Sequence, residues 1–275
     1  MIIELSKLKM PVVSPAGVTA MELITSGDYN LPDLCKIISH DPILTATLIK
    51  YANSSRYSQR FEVTNINRAI NVLGIKALSA AVIVAAMRTY IQPGNISEQL
   101  WEHCQSVATI AKLIAQRHYP HFAEDIELPA LVHDMGALVL ASNFPKQYVD
   151  VAQTALSSDN DRSLSELEKE TFGVIHDEVT AHFIGTYRLP ELTKNVLTDF
   201  HLRLPLVEVQ NNIAQQQTAI IALAHQLEEN INSHSDRLTE VIPDSLESLQ
   251  YHLGLTDDDI ENFIEDYDEI CQAEE

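Results

Sequence analysis

Glycine is scarce in this 275-residue chain, with 8 residues, and aromatics make up only 6%. Few glycines leave few left-handed turn positions, which argues against a many-stranded barrel or sandwich. Cysteine is also rare. Cys35, Cys104 and Cys271 stand far apart and form no CxxC pair. An odd, unpatterned set points to reduced thiols in a cytoplasmic protein. The start, Met1-Ile2-Ile3-Glu4, lacks the basic and apolar regions of a signal peptide. The most apolar run, Ala77 to Met87, is about half a membrane span and is bounded by Lys76 and Arg88, so it reads as a buried helix. There is no GxGxxG, Walker A loop, HExxH or GxSxG.

Positive charge is short as well. Lys and Arg total 18 against 39 Asp and Glu, a net of −21. The imbalance is uneven: residues 1–120 carry 11 basic and 8 acidic side chains, residues 121–275 carry 7 and 31. An acidic surface repels phosphate backbones and anionic lipid, so neither a nucleic acid nor a membrane is the expected partner. A protein partner or a cation fits better.

Hydrophobic residues make up 45%, enough for a sizeable core. Their spacing is helical nearly throughout. Asp41-Pro42 reads as a helix start, with Asp as N-cap and Pro at the first helical position. Asn53-Ser54-Ser55 ends that helix. Ile66 to Leu73 reads as a short helix closed by Gly74, followed by a longer one over Ile75 to Ile91. Further helices are expected over Trp101 to Ala115 and Leu128 to Phe144. Ser163-x-x-Glu166 and Ser165-x-x-Glu168 are alternative capping boxes for the next helix, which is expected to carry His176-Asp177. The last segment has ten acids and no base from Asp257 to Glu275. Thr256 can cap it, and Ile260, Phe263, Ile264, Tyr267 and Ile270 fall on one face. No alternating strand pattern stands out, so the fold class is all-α. Pro93-Gly94 is the best boundary. It divides an N-terminal helical lobe (1–94) from a helical bundle (95–230), with an acidic helical extension beyond (231–275).

The residues suited to chemistry are histidines. His133-Asp134 lies inside the apolar stretch Leu131 to Leu138, where a polar dyad needs partners. Imidazole nitrogen and carboxylate oxygen can both reach a cation. The dipeptide itself occurs three times, at 40–41, 133–134 and 176–177, and His40-Asp41 is explained as a helix start. His103 lies 30 residues before the dyad, on a helix that can pack beside it. His176, His201 and His225 follow downstream on helical or near-helical segments. The candidate metal ligands are therefore His103, His133, Asp134, His176, His201 and His225. A buried hydrogen-bond network without metal accounts for the same residues. His118, His121, His182, His234 and His252 read as surface or boundary residues. Cys104, though beside His103, points about 100° away on the helix and reads as core.

Together these pieces resemble the bacterial HDOD (HD-related output) domain. The resemblance runs roughly from Pro32 to His201. It includes Asp41-Pro42-x-Leu44, Tyr51-Ala52-Asn53-Ser54, Asn67-Arg68-Ala69-Ile70-x-x-Leu73-Gly74 and Trp101-x-His103. Leu131-Val132-His133-Asp134-x-Gly136-x-Leu138, Phe172-Gly173-x-x-His176-x-x-Val179 and Leu189-Pro190 complete it. The resemblance implies an HD-like helical bundle, a role in signalling through protein partners, and no turnover. It also implies distant kinship to HD metal-dependent phosphohydrolases. Their pattern asks for a His, a His-Asp dyad and a later Asp. His103, His133 and Asp134 match, but the later position, Ala224-His225, carries a histidine. Asp199 is a less natural candidate. The Gly-Tyr-Pro signature of one phosphodiesterase variety is missing after His201.

Such a set suits one or two divalent ions, Mn, Fe, Mg or Zn. The expected function is a non-catalytic regulatory module. The alternative is a metal-dependent phosphohydrolase acting on a nucleotide or cyclic dinucleotide. A third reading is a sensor of a small phosphorylated ligand.

Overall fold

The computed structural model describes residues 2–54, 57, 62–91, 93–157, 162–198, 200–201, 212–231 and 245–274. Among these residues all regular structure is helical. A short 3₁₀ turn (Leu5–Lys7) precedes α1 (Pro15–Ser26), α2 (Leu31–Ser39), α3 (Pro42–Ala52) and α4 (Ile66–Tyr90). Then come α5 (Ile96–His118), α6 (Glu127–Val132), α7 (Met135–Asn143), α8 (Pro145–Leu156) and α9 (Leu164–Phe172). The chain continues through α10 (His176–Thr186), α11 (Glu191–Leu197), α12 (Ile213–Ile231), α13 (Leu246–Leu253) and α14 (Asp257–Glu274).

Local chemistry sets most helix starts. Asp41 accepts from the backbone N–H groups of Ile43 and Leu44, both at 3.0 Å, and Pro42 follows it. Ser163 and Glu166 form the capping box of α9. The alternative box does not form, because Glu168 turns inward and is fully buried. Thr256 and Asp259 exchange hydrogen bonds at the start of α14. Gly74 has φ +74° and ψ 162°, so the short helix does end there and the longer one restarts directly. Left-handed backbone favours glycine because it lacks Cβ.

Helices α1 to α4 pack mainly on one another. Helix α5 is the centre of the rest: α6, α7, α12 and α14 all pack on it. Its buried face includes Leu100, Cys104, Val107, Ala108, Ala111 and Ile114. Cys104 is therefore core, as its sequence context implies. On α14, Ile260, Phe263 and Tyr267 are buried, while Ile264 is half-buried. Within α4, Ile66–Met87 is long and apolar enough to cross a membrane by length and composition, but two-thirds of its apolar window (67%) is buried inside the protein.

Two expected helices are corrected. The apolar stretch from Leu128 to Phe144 is two helices, broken at His133-Asp134, where Asp134 takes φ −105° and ψ 23°. And His176-Asp177 does not lie on the capping-box helix. Gly173, at φ +80°, ends α9, and His176 opens α10.

The break has a tertiary cause. Helix α7 crosses α10 so closely that a Cβ on Gly136 would sit 1.9 Å from the His176 carbonyl oxygen. The Gly136 N–H donates to Thr180 Oγ1 at 2.9 Å. Only glycine permits this approach, and the approach brings the second His-Asp pair beside the first.

Candidate metal centre

Five chain segments converge on one buried spot. His103 comes from α5, His133 and Asp134 from the α6–α7 break, and His176 from the start of α10. His201 follows α11, and His225 lies on α12. The structure brings all six sequence candidates together in two overlapping groups. His103, His133, Asp134 and His225 offer ligand atoms all within 4.8 Å of one another, and so do Asp134, His176 and His201. Asp199 and His234 lie outside the described residues. Among the remaining histidines, His118 pairs with Asp259 at 3.3 Å, away from the cluster.

Asp134 joins the two groups. Its Oδ2 faces the Nε2 atoms of His133 (3.6 Å) and His103 (3.7 Å), while its Oδ1 faces Nε2 of His201 at 3.2 Å. A carboxylate so placed has one oxygen toward each group.

An outer ring fixes the imidazoles. His133 donates its Nδ1–H to the Ala130 carbonyl at 2.8 Å. His103 Nδ1 meets Glu228 Oε2 at 2.7 Å, and His176 Nδ1 meets Glu168 Oε2 at 2.7 Å. His201 Nδ1 meets Asp177 Oδ1 at 2.9 Å. With the proton held on Nδ1, His103, His133 and His201 turn Nε2 inward, the usual arrangement behind a metal-binding histidine, while His176 Nε2 meets His201 Nδ1 at 3.0 Å. His103 Nε2 then faces His133 Nε2 at 3.3 Å. Two lone pairs at that distance repel unless a proton or a cation lies between them.

The unpaired atoms repeat the point. Both Asp134 carboxylate oxygens, His201 Nε2 and both ring nitrogens of His225 are buried without a hydrogen-bond partner. Buried polar atoms left unpaired are costly, and cations are one way to satisfy them. The donor set therefore fits divalent metal ions. His225 offers nitrogen where the hydrolase pattern has oxygen, and it still points into the cluster.

The electrostatics are those of a strongly coupled site. Burial pulls the His133 pKa down to about 4. Burial also drives His225 well below the usual imidazole value. Burial opposes charge on His176 too, but the Glu168 carboxylate outweighs it and lifts that ring to about 10. For His103, Glu228 likewise overcomes burial and raises the pKa. Burial works against the Asp134 carboxylate, yet the surrounding imidazoles hold it well below the usual range.

Sequence reasoning missed the outer ring of Glu168, Asp177 and Glu228. The signals were modest: Asp177 adjoins His176, and Glu228 lies three residues after His225 on one helix face. Lys112, Arg117 and Lys146 are the cations nearest the dyad in sequence, and Lys146 is exposed. Lys112 binds Glu127 at 2.8 Å and Arg117 binds Asp266 at 2.7 Å. Among the described residues, Asp134 has only histidines within ion-pair reach.

Known proteins share this architecture. A Treponema pallidum protein described as uncharacterized is 25% identical over 184 residues, 66% of this chain and 35% of its own length. The chain thus spans about a third of that relative. An HDOD domain protein of unknown function from Geobacter sulfurreducens superposes with a TM-score of 0.69 at 22% identity, covering 96% of this chain and 91% of its own. A candidate phosphohydrolase from Shewanella amazonensis gives 0.69 at 18% identity, covering 95% and 91%. A candidate signal transduction protein from Marinobacter aquaeolei gives 0.70 at 19% identity, covering 96% and 58%. At these identities the structures establish the fold and nothing more. The HDOD domain family model matches residues 10–201. With its motifs in order across that span, the chain belongs to the HDOD domain family.

Proposed function

We propose that this chain is a regulatory signalling module, acting through a protein partner in the cytoplasm, whose bundle (95–230) holds two divalent ions. His103, His133, Asp134 and His225 would surround one ion. Asp134, His176 and His201 would hold the other. The observation that carries this reading is the pair of buried Asp134 oxygens, unpaired and facing different histidines.

Charge balance supports two ions. Asp134, Glu168, Asp177 and Glu228 are four buried carboxylates in contact with the cluster's histidines. With every imidazole acting as a neutral ligand, two divalent cations would cancel that charge. Five imidazoles to one carboxylate favour Fe or Zn over Mg and Mn, which are better suited to oxygen ligands.

The regulatory reading is preferred to turnover for two reasons. His103, the most exposed of the six, is only 9% exposed, so substrate has little access among the described residues. And His225 stands where the hydrolase pattern has an acid. The N-terminal lobe (1–94) and the acidic extension (231–275) would then offer surfaces to a partner.

The second reading is a phosphohydrolase. It is favoured by the three-donor group, which leaves an ion with an open position. A bound ion there would supply an activated water and neutralise phosphoryl charge. The metal-loaded protein is to be assayed with nucleotides and cyclic dinucleotides. No turnover above background is expected. Turnover abolished by His133→Ala would establish the second reading and overturn the first.

A further inference from the structure

Tyr51-Ala52-Asn53-Ser54 is a motif that the metal centre does not use. Its residues build a different cluster. Tyr51, at the end of α3, donates its hydroxyl to Glu127 Oε1 at 2.5 Å. Tyr57 donates to Glu127 Oε2. Lys112, on α5, also reaches Glu127 Oε2, at 2.8 Å. Its ammonium lies 3.7 Å from the centre of the Tyr57 ring. Asn53 is tied to Val63. Its Oδ1 accepts from Val63 N and its Nδ2 donates to Val63 O, both at 2.8 Å. Tyr51 of the motif, together with Tyr57 just beyond it, thus brings two tyrosine hydroxyls to one carboxylate, 2% exposed, in the bundle.

The position of that carboxylate matters. Glu127 is the first residue of α6, and His133 directly follows its last residue, Val132. The helix is six residues long, about 9 Å. Ala130, inside it, supplies the carbonyl that holds His133 Nδ1. A displacement of the Glu127 end therefore moves the group that aims the His133 ring.

We propose that Glu127 is a positioning residue for the metal centre, through which the N-terminal helices set the aim of His133 and Asp134. The inference rests on the proposed two-ion reading. It makes α6 a link between the lobe contact and ion affinity. A partner that shifts the first lobe would loosen the ions without touching them.

Full-length protein is stripped of metal, and Mn and Zn affinities are measured by titration calorimetry for wild type, Tyr51→Phe, Glu127→Gln and Leu48→Ala. Leu48 is buried in α3, makes none of these hydrogen bonds, and serves as a stability control. Thermal melts rank the variants by stability. Glu127→Gln is expected to weaken ion binding about tenfold, the low end for residues that hold metal ligands in place. Tyr51→Phe should weaken it in the same direction, and a Tyr51→Phe, Glu127→Gln double variant, measured alongside, should bind no more weakly than Glu127→Gln alone. Leu48→Ala should lose stability and keep its affinity. The inference is overturned if Glu127→Gln binds ions as wild type does, or if Leu48→Ala loses affinity in proportion to stability. Wild type that binds no ion would instead defeat the two-ion reading itself.

Discussion

Helix α6 carries a buried polar cluster at each end, and the two are opposites. At its start, both Glu127 oxygens are paired, with two tyrosine hydroxyls and an ammonium. At its end, neither Asp134 oxygen has a hydrogen-bond donor. Burial is equivalent, at 2% and 1% exposure. The difference lies in which groups face each carboxylate. Glu127 meets donors whose hydrogens satisfy it. Asp134 meets imidazoles whose protons are mostly held on the far side by an outer ring of acceptors. A satisfied cluster needs nothing further and acts as glue. An unsatisfied one, equally buried, is what the proposed ions would complete.

The largest test of this contrast is metal addition. If divalent ions complete the Asp134 end, a thousandfold excess over Kd stabilises stripped protein by about 4 kcal/mol. Differential scanning fluorimetry should show the melting temperature rise by roughly 10 °C. Asp134→Ala should show no rise. An equal rise in that variant would place the ions elsewhere and break the comparison.

Truncation of the two carboxylates comes next. Glu127→Ala leaves the half-buried Lys112 without this counter-charge and is expected to cost about 3 kcal/mol in urea unfolding. In the metal-free protein, Asp134→Ala should cost less than this, because it loses the attraction of the surrounding imidazoles but no hydrogen bond. Equal costs would erase the distinction.

Acid gives the smallest effect. Burial alone would raise the Glu127 pKa, but Lys112 and the two tyrosines outweigh it and hold the group below its usual value. A carboxyl with a depressed folded pKa contributes stability above its unfolded pKa of about 4.3. That contribution is lost as pH falls through the lower folded value. Stability measured across this range should fall less steeply in Glu127→Gln than in wild type. Parallel profiles would show that Glu127 is not held as the structure has it.

The ends of α6 also show what was legible in the sequence. Asp41-Pro42, Gly74 and Ser163-x-x-Glu166 announced their helix boundaries because capping and left-handed backbone are local effects. All six ligand candidates stood out as histidines and a carboxylate in helical context, and they do converge. The break at His133-Asp134 was hidden. Leu131 to Leu138 is apolar on both sides of the dyad and shows no capping signal, and the cause of the break, the Gly136 contact with α10, lies 40 residues away. The pairing of Tyr51 with Glu127 spans 76 residues and leaves no local trace. Glu168 looked like a second capping-box acid until the fold turned it onto His176.

Elemental analysis of reconstituted protein tests the central claim most directly. The account predicts about two equivalents of divalent ion in wild type, about one in His176→Ala and none in Asp134→Ala, since only Asp134 serves both groups. Wild type well below one equivalent, or His176→Ala unchanged from wild type, would contradict it.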